Sequence, residues 1–97
     1  MNTAFNITES RKPEAAVLAI KSKMAALIVK AINDQGLTQT EAAQKANVSQ
    51  PRVSRLKSGA IDTFSIDALI KIAVNLDLKI DAAFDPDTGV TLAIGGK

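Results

Sequence analysis

Four helix start and stop signals packed into residues 38–59 constrain this chain more than any other feature. Thr38 and Glu41 have the spacing of a capping box: the hydroxyl accepts from the third helical N–H, and the carboxylate accepts from the cap's own N–H. They predict a short helix over Gln39–Ala46. Asn47, which adopts positive φ at little cost, ends it. Ser49 caps a second helix over about 50–57, with Pro51 tolerated in its first turn, and Ser58-Gly59 stops it. Helices this short are marginal alone in water, so the rest of the chain must supply their packing.

The flanking segments have the patterns for that task. From Pro13, suited to a first helical turn, Val17, Ile20, Met24, Leu27, Ile28 and Ala31 form a helical stripe running to about Gln35, where Gly36 ends it. Leu18, Ala25, Val29 and Ile32 line an adjacent face. Either this helix is buried on two sides, or the second face receives a partner protein. Phe64 and Ser65 open a further helix from Ile66 to about Leu76, with Phe64 placed to staple against Leu69. Its expected apolar face is Ile66, Leu69, Ile70, Ala73 and Leu76.

After Asp77 the period changes to two. Leu78, Ile80, Ala82 and Phe84 alternate with Lys79, Asp81, Ala83 and Asp85; 85–89 read as a turn; Val90, Leu92 and Ile94 alternate again. This predicts a C-terminal β-hairpin with a frayed Gly-Gly-Lys tail. Residues 1–10 are polar and without period, which predicts a flexible arm. The expected organisation is an arm at 1–12, a mostly α-helical domain at 13–77, and the hairpin at 78–97.

Composition removes most catalytic chemistry. In 97 residues there is room for one modest core, and with no Cys and no His there is no thiol nucleophile, no zinc finger and no imidazole base. Asp77, Asp81, Asp85 and Asp87 lack the spacing of a calcium loop and read as an acidic turn and strand face. No Gly-rich phosphate loop is present. The expectation is a non-enzyme without metal or cofactor. No apolar run suits a membrane span and no leader segment is visible, so a cytoplasmic location is expected.

Charge is uneven along the chain. Residues 39–59 carry Lys45, Arg52, Arg55 and Lys57 against Glu41 alone, net +3, whereas 60–97 are net −3. Two short helices across a three-residue turn, the second basic, have the plan of a helix-turn-helix. Ala43 sits where only a small side chain lets the second helix cross closely, and Val53 and Leu56 face inward. The segment QTEAAQKANVSQPRVSRLKSG, with Gln39, Ala43, Val53 and Gly59 in register, resembles the helix-turn-helix of phage-repressor (Xre/Cro-type) DNA-binding proteins. It departs from that family at Asn47, where Gly is commonest. Over about residues 15–80 the chain is similar to compact Xre regulators that include HigA-type antitoxins. The resemblance implies a lambda-repressor-like domain of four to five helices, here with a C-terminal hairpin.

With Val53 and Leu56 inward, Gln50, Arg52, Ser54, Arg55 and Lys57 lie on or beside the outer side of the second helix. Gln50, at its N-terminal end, is suited to adenine and Arg55 to guanine; Arg52 reaches a base or a phosphate. Gln39 resembles the family glutamine that contacts phosphate and braces the recognition-helix glutamine. Thr38, Ser49, Ser54 and Lys57 are candidate phosphate contacts, the first two being also helix caps. The expected partner is double-stranded DNA, bound by a sequence-specific transcriptional regulator, a repressor acting on an inverted repeat. A toxin protein is the alternative partner that the antitoxin resemblance implies. A lone hairpin is marginal and leaves edges open. It therefore either joins a homodimer through Leu78–Ile94, or packs on its own domain.

Overall fold

The computed structural model describes residues 2–6, 13–87 and 89–95. In chain order they form β1 (Asn2–Asn6), α1 (Pro13–Asp34), α2 (Gln39–Ala46), α3 (Gln50–Ser58), α4 (Ile66–Asn75), β2 (Lys79–Asp85) and β3 (Gly89–Gly95). The architecture is mostly helical, with the C-terminal hairpin set beside a four-helix domain. Among the described residues no helix is long and apolar enough to cross a membrane.

The helices form where the capping chemistry puts them. Thr38, in extended conformation, completes the reciprocal capping box with Glu41; Ser49 and Ser65 cap α3 and α4 by accepting from Arg52 N and Ala68 N. α1 buries Ile20, Met24, Ile28 and Ala31 from one stripe and Ala25 and Ile32 from the other, with Val29 packed against the same core. It is thus a helix buried on two sides. Of its large apolar side chains, Val17 and Leu18 at the N-terminal end are exposed, at 41% and 53%. On α4 the inward stripe is Leu69, Ile72 and Ala73, continued by Leu76. Ile70, expected inward, lies instead on the rim at 38% exposure, because Ile72 takes the place facing the other helices.

Phe64, Met24, Ile28, Ile32, Leu69, Ile72, Leu76, Val53 and Ile94 are almost wholly buried in one cluster. Ile94 belongs to β3, and Leu78 and Ile80 pack against the same cluster, so the hairpin is seated on its own domain. β2 and β3 pair antiparallel from Lys79 opposite Gly95 to Asp85 opposite Gly89. Asp85 Oδ1 accepts from Asp87 N at 2.8 Å, tightening the turn. Thr88 and the tail residues Gly96 and Lys97 lie outside the described residues.

The N-terminal segment differs from its expected role as an arm. Asn2–Asn6 form an antiparallel strand against the far edge of β3, from Asn2 opposite Gly95 to Asn6 opposite Thr91. The hairpin thereby becomes a three-stranded sheet of order β1-β3-β2. The physical reason is the edge problem: β3 would otherwise present a row of unpaired N–H and C=O groups. Residues 7–12 of the expected arm lie outside the described residues.

Candidate nucleic-acid interface

α2 and α3 are held at a fixed angle by their turn. Asn47 takes the left-handed conformation, φ 60 and ψ 45, and its N–H reaches Ala43 O and Gln44 O; Val48 N then donates to Ala43 O at 3.0 Å. The chain reverses within residues 47–49 and α3 begins at Gln50. Ala42, Ala43 and Ala46 are buried, the small side chains that let α2 sit close to the rest of the domain. Val53 and Leu56 anchor α3 to the core at 1% and 3% exposure.

That anchoring fixes what α3 presents. Gln50, Ser54, Arg55 and Lys57 are exposed. Gln39 Nε2 donates to the backbone carbonyl of Gln50 at 3.2 Å, so the first residue of α2 braces the first residue of α3. Gln39 and Gln50 are therefore brought together as the family resemblance implied, through the Gln50 backbone, which leaves the Gln50 amide group clear of the brace. Ser49 and Thr38 both act as caps, their hydroxyl oxygens accepting at 3.4 Å and 3.1 Å. A hydroxyl that accepts this way keeps its O–H to donate to a phosphate, so capping and phosphate contact are compatible. Pro51 has no N–H, so the α3 N-terminus offers one amide fewer than an ordinary helix end.

Arg52 is placed differently from the other candidates. Its guanidinium lies 4.2 Å from the centroid of the buried Phe64 ring, a cation–π arrangement that makes the side chain half-buried. It stands on the α4 flank of α3, whereas Ser54 and Arg55 point outward. Lys45, counted with the basic segment, is turned to the opposite side: its Nζ is 2.9 Å from Asp77 Oδ2 and donates to Gln35 Oε1 at 2.7 Å. Gln35 Nε2 in turn donates to Leu76 O, and Asn75 Nδ2 to Ala46 O. These bonds tie the C-terminal ends of α1, α2 and α4 together behind the interface. Of the basic segment 39–59, the charge left near α3 is that of Arg52, Arg55 and Lys57.

The Thr38 amide, then the Thr38 hydroxyl contact, hold the Glu41 carboxyl below its ordinary value of 4.5. An ionised Glu41 keeps the α2 N-terminus capped near neutral pH. A shallow open depression between α2 and α3 is lined by Thr40, Gln44, Asn47, Ser49 and Gln50. Thr40 and Gln44 are exposed beside the α3 N-terminus, and sequence reading passed over them. The signal was available: they are four apart on α2, on the face away from Ala42 and Ala46. Among the described residues no three acidic side chains lie close enough to hold a metal ion.

Comparison with known proteins agrees with this geometry. A solved structure of a protein named as an XRE family transcriptional regulator superposes with a TM-score of 0.72 at 26% identity, covering 75% of this chain and 82% of that one. No curated protein matches the chain. The helix-turn-helix domain family matches residues 7–83, a span that takes in all four helices and reaches into β2. The chain belongs to the helix-turn-helix domain family.

Proposed function

We propose that the protein is a sequence-specific DNA-binding transcriptional regulator that represses by occluding a promoter, as a homodimer on an inverted-repeat operator. The observation that supports it most is the pair Gln50 and Arg55 on α3. Both are exposed, on a helix fixed underneath by Val53 and Leu56 and braced at its first residue by Gln39. A helix in the major groove reads bases with residues at and near its N-terminal end. Gln50 is matched to adenine and Arg55 to guanine. Thr38, Ser49, Ser54 and Lys57 are assigned to phosphates, and Arg52 to a base or phosphate on the α4 flank.

A titration against the DNA upstream of the protein's own coding region, with a shuffled control and several salt concentrations, tests this reading. Preferential binding with a two-protomer footprint is the expected result. Binding indifferent to sequence and lost at physiological salt would sink it.

A second reading, an antitoxin that neutralises a toxin by direct binding and represses its own operon, is favoured by one observation. Val17 and Leu18 form an exposed apolar pair beside Pro13 and Lys21 at the N-terminal end of α1, on a helix whose other large apolar side chains are buried or half-buried. Co-expression with the product of an adjacent reading frame separates the two readings. A stoichiometric complex abolished by Leu18→Asp supports the antitoxin, and two non-interacting products dismiss it.

A further inference from the structure

We infer that the outer edge of β2 is the homodimer contact, pairing antiparallel with β2 of a second copy in a register centred on Ala82. The inference rests on the dimeric reading above and names the strand and register that carry it. β3 is closed on both sides by β1 and β2, so it has no edge to offer another chain. The sheet's two terminal edges are those of β1 and β2. β1 has five residues and no charge, whereas β2 has seven, with Lys79 at one end and Asp85 at the other.

Of the three registers that pair at least five residues of β2, only one avoids opposing like charges. Two antiparallel strands related by a twofold axis place residue i opposite a residue whose number sums with it to a constant, and opposite residues share a sheet face. Centred on Asp81, the pairing sets Asp81 against Asp81 of the second copy. Centred on Ala83, it sets Asp81 against Asp85. Both oppose like charges, which is unfavourable across a strand pair. Centred on Ala82, Lys79 lies opposite Asp85 of the second copy, Ile80 opposite Phe84 and Asp81 opposite Ala83. Both ends then carry an opposite-charge pair.

Lys79, Asp81, Ala83 and Asp85 are exposed, so these pairs form on the sheet face away from the helices. Half-buried Ile80 marks the face that packs on the domain. The result is a continuous six-stranded sheet with both helical domains on one face.

The chain has no cysteine, which makes the register directly testable. In this register, mixing Asp81→Cys and Ala83→Cys protein under mild oxidation yields a covalent dimer, while either variant alone does not. By sedimentation the wild type has twice the mass of one chain, Lys79→Asp halves that mass, and Lys79→Asp with Asp85→Lys restores it. Because Asp85 also holds the turn through Asp87 N, the cysteine pair, which leaves the turn intact, decides if the charge-swapped double variant fails to fold.

A monomeric wild type overturns the inference, as does a dimer in which the mixed cysteines do not join. The DNA reading is scored separately, by the sequence preference of Lys79→Asp protein for a single half-site. Preference without the cross-link refutes the β2 contact alone; the cross-link without preference refutes the DNA reading alone.

Discussion

Lys57 and Arg55 leave α3 two residues apart and both exposed, yet the account gives them different work. Lys57 is assigned to phosphate, which carries no sequence information. Lys57→Ala should weaken binding to all sequences alike and reduce the salt slope by about one, measured as log affinity against log salt. At this scale the sequence was informative where a residue's direction follows from its own helix. Val53 and Leu56 set the inward side of α3, and Gln50, Ser54, Arg55 and Lys57 follow from them. Arg52 was not legible in the same way. What turns it is Phe64, a residue outside the helix, whose ring lies under the guanidinium in the folded chain. Lys45 likewise spends its charge on Asp77, a partner that only the packing of α4 against α2 brings near.

Two elements make opposite demands on α2, one at each end. At its start the folded Glu41 carboxyl titrates below its ordinary value, so its contribution to stability is present above the unfolded pKa and is lost as pH falls through the lowered folded one. Denaturant titrations at pH 7 and at about pH 3 should show this loss, and Glu41→Gln should reduce that part of the pH dependence. At its end Asn47 needs φ 60. Asn47→Gly should leave stability nearly unchanged, whereas Asn47→Val should cost roughly 1–2 kcal/mol or more, read from the same titrations.

These caps are why α2, α3 and α4 were legible from local sequence, and the shift to period two at Asp77 is why the hairpin was. β1 was not: five residues of mixed polarity carry too little pattern, and the pairing partner lies at the other end of the chain. Ile70 and Ile72 were exchanged for a related reason. Both fit a helical stripe within α4, and only the position of the neighbouring helices selects between them.

For the whole molecule, the sheet and the helical domain share one core, in which the strand residue Ile94 is deeply buried. Ile94 is 2% exposed and sits in the cluster with Leu69, Ile72 and Leu76. Ile94→Ala should cost about 2–5 kcal/mol in global unfolding. The same variant should weaken any assembly that depends on the sheet. Under the proposed reading, the positive charge near α3 serves DNA and the sheet's open β2 edge serves a second copy.

The central claim is that α3 reads bases, and the ratio of affinities for a selected site and its shuffled control tests it most directly, compared between wild type and Arg55→Ala at one salt concentration. The account predicts a loss of roughly 1–3 kcal/mol on the selected site with the shuffled control almost unchanged, so that the ratio collapses. An equal loss on both sequences would contradict it, leaving Arg55 as one more phosphate contact and α3 without the role assigned to it.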